Sequence, residues 1–240
     1  MGDKFVGFEL FFRFDAVRIA AVSRQEQLQR SLRFFERMAA ASPLLANWYR
    51  GGNSIADGLR FNVMENPQHL HDEADQWADP EDPQRVKYVL WNGEPDILKG
   101  GLSLSYDAMT NHVSSGMRIE DIGGLLRVLP DPTATIRAVM LAAVELWPEI
   151  TWAVAVPQDH YLFRRVFKDR QSIGWIGFCP HSLTADDLPD AETVVEIPQR
   201  GTLVVTCPGV MNDQDRTHVR RVGNTDTRLL ERGYLPLFAG

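Results

Sequence analysis

Short segments of alternating apolar and polar residues, grouped in runs between two amphipathic helix patterns, constrain the fold of this 240-residue chain most strongly. A period of two is typical of a strand with one buried face, and a period near 3.6 is typical of a helix with one buried stripe. The alternating segments outnumber the helical ones and often follow each other directly. This order favours an α+β fold with a mainly antiparallel sheet.

The first strand is predicted over residues 5–14, where Phe8, Leu10, Phe12 and Phe14 share one face. Turn-forming residues such as Asn92-Gly93 separate the strands that follow. The other predicted strands are 86–91, 102–106 and 112–119, which we expect to form an antiparallel meander, then 151–156, 173–178, and 193–197 with 202–206, which we expect to form a hairpin.

Two principal helices are predicted at about 23–41 and 133–147. Ser23 and Glu26 form a capping box before the first helix, because the serine hydroxyl and the glutamate three residues later can satisfy free backbone N–H groups. Apolar residues at helical spacing follow in both segments. Further short helices are predicted around 69–77 and at the C-terminus, where Asn212 and Asp226 are the expected caps.

The order of one strand, one helix and then several strands occurs twice along the chain. It suggests two similar β-α-β halves, at about 1–120 and 121–240, packed as one body. No linker rich in proline, glycine or serine separates them. We therefore expect a single α+β domain over residues 1–240.

The formal net charge of −7 bears on the class of partner. An acidic chain repels the phosphate backbone, so we expect no direct binding of nucleic acid. The charge suits a basic partner instead. No segment has the roughly 18 consecutive apolar residues of a membrane span, and the N-terminus lacks a signal-peptide core. We therefore expect a cytoplasmic protein, with Cys179 and Cys207 as reduced thiols at an unknown separation.

The strongest candidate for metal chemistry is the group His69, His71 and Asp72. Imidazole and carboxylate groups bind divalent metals, so a metal-dependent hydrolase is one alternative function. The spacing matches neither H-E-x-x-H nor an EF-hand loop. A solvated acidic segment explains these residues better, and we predict no metal.

Other catalytic patterns are missing from the sequence. The chain has no G-x-S-x-G nucleophile elbow, no P-loop and no dinucleotide-binding glycine pattern. Its two cysteines and scattered histidines do not by themselves define a nucleophile with a base. We therefore predict that the protein is not an enzyme, has no catalytic residue and uses no cofactor.

An acidic run between residues 65 and 96 is the clearest candidate for a binding function. Nine carboxylates fall in this run, against the basic residues Arg85 and Lys87 alone. Complementary charge accelerates association and disfavours wrong partners, although a solvated loop that aids solubility is the simpler interpretation. The predicted contact residues are Asp72, Glu73, Asp75, Asp79, Glu81 and Asp82.

Four segments, in this order, resemble the immunity protein 52 family of bacterial polymorphic toxin systems: FFERMAAASPLLANWYRGGNS, GWIGFCPHSLTADDLPDAETV, RGTLVVTC and TDTRLLERGYLP. The matching residues Trp48, Tyr49, Gly174, Trp175, Gly201, Thr202 and Leu229 look structural.

The resemblance implies an α+β protein that binds a toxin encoded beside it, in the cytoplasm of the producing cell. Such toxins often carry a restriction-endonuclease-like domain and are delivered to rival bacteria, for which a type VI secretion system is the expected route. An acidic surface would suit the basic cleft of a nuclease. An adaptor protein of a secretion system is a further alternative.

Overall fold

The computed structural model describes residues 7–109 and 115–238. Its strands are β1 (Phe8–Phe14), β2 (Tyr49–Arg50), β3 (Val86–Trp91), β4 (Ser103–Ala108), β5 (Gly116–Glu120), β6 (Ile150–Pro157), β7 (Ile176–Cys179), β8 (Thr193–Ile197) and β9 (Gly201–Val205). Its α-helices are α1 (Ala16–Ala20), α2 (Arg24–Ala41), α3 (Ile55–Gly58), α4 (Gln68–Gln76), α5 (Ile122–Val128), α6 (Pro132–Leu146) and α7 (Arg216–Glu231). The parts of the predicted strands at 5–6 and 112–114 lie outside the described residues.

All nine strands belong to one antiparallel sheet in the order β2-β3-β4-β5-β1-β6-β7-β9-β8. The α+β class, the meander of β3, β4 and β5, and the hairpin of β8 and β9 are confirmed. β1 lies at the centre, where it pairs with β5 on one side and β6 on the other. Strands from both halves of the sequence therefore share one continuous sheet.

The two halves of the sequence differ in strand order. In the first half, β1 pairs with β5, the last strand of that half. In the second half, β6 pairs with β7, the strand that follows it. The single domain over 1–240 and its two similar β-α-β halves stay predictions.

α2 and α6 pack on one face of the sheet, which we call the inner face. The Ser23 hydroxyl accepts a hydrogen bond from the backbone N–H of Glu26 at 3.2 Å, and Asp131 caps α6 through the N–H of Ala134 at 2.9 Å. Phe34 of α2 lies against Phe12 of β1, with the ring centroids 6.4 Å apart. The apolar stripes predicted for these helices thus form the main core with the sheet.

Two buried tyrosines fix α2 in register over the sheet. The Tyr88 hydroxyl donates to Ser31 Oγ at 2.9 Å, and the Tyr106 hydroxyl donates to Gln27 Oε1 at 3.0 Å. Burial raises the pKa of both phenols. These buried polar groups form hydrogen bonds with each other. They therefore fix one position of the helix and avoid the free-energy cost of a buried polar group without a partner.

On the opposite, outer face, a second apolar core covers the strands of the second half. Leu183, Leu188, Leu229 and Leu235 pack there with strand residues such as Val204. Gly177 of β7 has no Cβ, and one placed there would meet the side chain and carbonyl of Ile173. The segment just before β7, which contains Ile173, therefore packs directly on the sheet.

The C-terminal helix differs from the prediction. In place of short helices capped by Asn212 and Asp226, α7 runs without a break from Arg216 to Glu231, and Asp215 caps it. Asp226 lies inside α7 and is buried, where its carboxylate accepts hydrogen bonds from Ser172 Oγ at 2.7 Å and Ile173 N at 2.8 Å. The chain thus has three long helices among the described residues, one more than predicted.

Candidate protein-binding surfaces

The outer face of the sheet is uncovered along β3, β4, β5 and β1. One row of paired residues crosses it, from Val89 through Ser105 and Arg118 to Phe11. The same row continues into the second half at Val154, where the strands lie beneath the second core. Val89 is 37% exposed, whereas Val154 is 1% exposed. We call the uncovered part, formed by residues 9, 11, 13, 87, 89, 91, 103, 105, 107, 118 and 120, the open face.

Aromatic and charged side chains alternate on the open face. The Phe11 ring lies over Gly116, because a Cβ at that glycine would come within 2.9 Å of the ring. The Arg118 guanidinium lies 5.4 Å from the centre of the same ring. It also lies 3.8 Å from Glu9 and 3.7 Å from Glu120. An arginine held on an aromatic ring is already ordered, so it loses little entropy when it meets a partner.

A second cation–aromatic contact forms the rim of the open face beside β3. Lys87 Nζ lies 4.2 Å from the centre of the Trp77 ring, which follows α4. Nearby, Arg85 donates to both carboxylate oxygens of Asp107 at 2.9 and 2.8 Å. The chain between Trp77 and Arg85 therefore lies along one side of the open face.

Arginines from elsewhere in the chain compensate much of the predicted acidic surface. Arg24 Nη2 lies 2.6 Å from Asp75, and Arg85 Nη1 lies 3.8 Å from Asp79. Arg50 approaches Asp72 at 3.7 Å. Arg24 and Arg50 fall outside the acidic run in the sequence. The count of charges along the run therefore overstates its negative electrostatic potential.

Glu73 does not fit the predicted role of an exposed contact residue. Its side chain is buried, accepts a hydrogen bond from Trp77 Nε1 at 3.0 Å and lies 3.8 Å from Arg50 Nε. It holds the end of α4 in place. Glu81 is exposed, and Asp79 and Asp82 face each other in a short β-bridge beside it. Glu81 is therefore the most accessible carboxylate of the loop 79–82.

The histidines of the proposed metal group lie two positions apart on α4, on different sides of the helix. The His69 ring packs edge-on against Phe61 with centroids 5.5 Å apart, and its Nδ1 lies 3.9 Å from Asp72 Oδ2. His71 follows two positions later on the helix, where about 200° separates the two side-chain directions. Among residues 7–109 and 115–238, no three His, Cys, Asp or Glu side chains are placed to hold one metal ion.

The two cysteines are free thiols and fully buried. Cys179 belongs to the outer core and Cys207 to the inner core. Burial raises the pKa of Cys179 to about 12, so its thiolate is a negligible fraction at neutral pH. The arrangement favours packing over reactivity.

The tryptophans divide into four core residues and two surface residues. Trp48 is fully buried and stacks on Phe35 with centroids 5.7 Å apart. Trp77 is 43% exposed and Trp91 is partly exposed, and both border the open face. Tryptophan and arginine are over-represented among residues that dominate binding energy at protein interfaces.

Sequence reasoning missed the open face as a unit. Its residues come from four strands and lie up to 111 positions apart, and only the pairing brings Phe11 and Val89 into one row. The signal was present in the polar positions of each alternating strand, which show that the outer side of these strands is not covered.

A comparison with protein families gives one match. A family model described as Immunity protein 52 matches residues 19–237, which is most of the chain. A search among curated proteins finds no match. Within the described residues, no helix has the length and apolar character needed to cross a membrane.

Proposed function

The chain belongs to the immunity protein 52 family, and from this premise we propose that it binds a cognate bacterial toxin and neutralises it inside the producing cell. The family match over residues 19–237 carries this proposal. The buried thiols and the separated histidines give it indirect support, because they favour binding over catalysis. The protein would act in the cytoplasm before the toxin is exported.

We propose that the toxin is of the nuclease type, with a restriction-endonuclease-like domain, and that inhibition is stoichiometric. A nuclease needs a positive surface to hold the phosphate backbone. This chain carries a net charge of −7, which complements such a surface. Delivery of the toxin by a type VI secretion system belongs to the same proposal. One bound molecule would then prevent one toxin molecule from engaging its substrate.

The acidic run has a narrower role in this proposal than its sequence suggests. Exposed carboxylates such as Glu81 attract a basic partner over a distance of about 8–10 Å at physiological salt. Carboxylates already paired with Arg24, Arg50 or Arg85 contribute less, because their field is partly cancelled. We therefore propose that the run accelerates association and that only the loop 79–82 makes close contacts.

The decisive experiment is a co-expression survival test with the protein encoded by the adjacent gene. That protein alone should kill the host, and this chain should restore growth and co-purify with it as a complex of fixed stoichiometry. Growth arrest that persists despite full-length expression of this chain would remove the proposal. A harmless neighbour would remove it as well, and bound metal and hydrolase activity would then be assayed.

Charge reversal tests the role assigned to the acidic run. Glu81→Lys should slow association with the toxin about three- to tenfold, because long-range attraction sets much of the association rate. Glu36→Lys is the matched control, since Glu36 is an exposed glutamate on α2, on the opposite side of the sheet. Stopped-flow association at low and high salt checks this. Equal rates for the two variants at low salt would contradict the steering role.

A further inference from the structure

We propose that the open face of the sheet is the surface on which the toxin docks. This inference rests on the proposed function and adds the contact surface and the character of the surface that fits it. The partner surface should be basic and should carry a convex apolar element that meets Val89, Phe11 and the tryptophans at the rim.

The first observation is that the two halves of the sheet differ on their outer side. Along β6, β7 and β9 the outer side is buried beneath a core of leucines and α7. Along β3, β4 and β5 no apolar core covers the outer side among the described residues, and Val89 is 37% exposed there. Solubility alone does not explain why one half of the outer side is exposed, because the same chain covers the other half.

The second observation is the chemistry of the open face. Interface centres are enriched in aromatic residues and arginine, with apolar area between them. Here the Phe11 ring and Arg118 are stacked, and Trp77 is stacked with Lys87. These contacts hold long side chains in place before a partner arrives. A pre-ordered surface of this kind pays less entropy on binding than free surface lysines.

The third observation is the balance of charge, which selects a basic partner over a second copy of this chain. On the open face and its rim, carboxylates outnumber the basic groups Arg13, Arg85, Lys87 and Arg118. Two such faces would repel each other in a symmetric dimer. The carboxylates are Glu9, Asp79, Glu81, Asp82, Asp107, Glu120 and Asp121, of which Glu9, Glu120 and Asp121 line one small cavity with Arg118.

The size of the face indicates how much of the rim must take part. Four strands at a spacing of about 4.8 Å, each about six residues long, present roughly 400 Å². A stable specific interface buries about 800 Å² on each partner. The loop 79–82 with Trp77 on one side, and the segment around Asp121 on the other, therefore have to contribute as much area as the strands.

Two valines provide a matched pair of variants. Val89 lies in the middle of β3 on the open face, and Val195 lies in the middle of β8 on the inner side of the sheet, with 37% and 36% exposure. Val89→Arg and Val195→Arg add the same bulk and charge. We expect Val89→Arg to weaken binding of the adjacent-gene protein at least 100-fold and to abolish rescue, and Val195→Arg to change affinity less than threefold.

The outcomes separate this inference from the proposed function. If the wild-type chain rescues growth and Val89→Arg binds as tightly as the wild type, the open face is not the docking surface although the protein remains an inhibitor. If the wild-type chain does not bind, the proposed function itself fails. A wild-type chain that is a dimer by light scattering, with Val89→Arg monomeric, would assign the face to a second copy and overturn the proposal.

A measurement on the wild-type complex covers the case in which a variant does not fold. Hydroxyl-radical footprinting with mass spectrometry should show that Trp77 and Trp91 lose reactivity on binding, whereas exposed Phe163 outside the face keeps it. Unchanged reactivity of both tryptophans would overturn the proposal. Ser105→Tyr, which adds bulk without charge at a partly exposed strand position, should also reduce affinity at least tenfold.

Discussion

The two halves of the sheet have the same pleat, but their outer sides have different surroundings. In β1, β3 and β4 buried and accessible residues alternate, whereas every described position of β7 and β9 is buried. The sequences differ accordingly, since FELFFRF and SLSYDA alternate in polarity and IGFC and GTLVV are nearly uniform. A strand with one covered face needs polar residues at every second position, and a strand with two covered faces does not. The pattern of polar residues along a strand therefore indicates whether one or both of its faces are covered.

Paired substitutions in one row of the sheet give the sharpest test of this comparison. Val204→Asp places a carboxylate beneath α7 with no partner, and we expect a loss of at least about 4 kcal/mol in the free energy of unfolding. Ser105→Asp, in the same row on the open face and opposite Arg118, should change it by less than about 0.5 kcal/mol.

Urea denaturation followed by circular dichroism measures both variants. Similar effects in the two would break the comparison, because they would mean that the outer side is covered, or uncovered, along the whole sheet.

Asp226 tests how α7 is held over the covered half. Asp226→Ala leaves the N–H of Ile173 and the hydroxyl of Ser172 without a partner, which should cost about 2–4 kcal/mol in the free energy of unfolding. Asp226→Asn keeps one acceptor and should cost about 1 kcal/mol at pH 7.

The pH dependence of the same variants gives an independent check. Burial raises the pKa of Asp226 to about 7, from 3.8 in the absence of burial. The folded state therefore binds its proton more tightly than the unfolded state, and this contribution to stability is complete below pH 3.8 and is lost as the pH rises through 7. The difference between the wild type and Asp226→Asn should therefore grow as the pH falls from 7 towards 4, because only the wild type gains this contribution. A pH-independent difference would contradict the shifted pKa.

A small effect is also expected for an ion pair on the open half. Arg85 and Asp107 form a two-point ion pair at 2.9 and 2.8 Å near the rim. Because both side chains reach solvent, Arg85→Ala should lower the free energy of unfolding by no more than about 1 kcal/mol. The effect should decline further in 1 M salt. A loss as large as that of Asp226→Ala would show that this rim is a structural anchor.

Local patterns predicted most of the elements. The capping residue Ser23 starts a helix as expected, and the strands expected at 193–197 and 202–206 form the expected hairpin. The long C-terminal helix was missed because Gly223, Asn224 and Thr225 are weak helix formers. Packing overrides this propensity, since Val166 lies against Gly223 and Asp226 bonds to the segment below.

The candidate site was harder to predict than the fold. The acidic run is visible in the sequence, but its neutralisation by Arg24 and Arg50 depends on contacts across 51 and 22 positions of the chain. Glu73 illustrates the limit, because nothing local distinguishes it from exposed Asp75 two positions later. The charges counted along a segment give its composition. The electrostatic potential that they produce depends on the tertiary structure.

The place of β1 at the centre of the sheet has a consequence for synthesis on the ribosome. Phe14 pairs with Ile150, so one edge of the first strand waits for a partner that is made 136 residues later. At about 5–20 residues per second this delay is on the order of 10 s. β3, β4 and β5 are made well before that time and can occupy the other edge of β1. A chain that meets its partner while still nascent would thus present the uncovered half first, with β1 still unpaired toward β6.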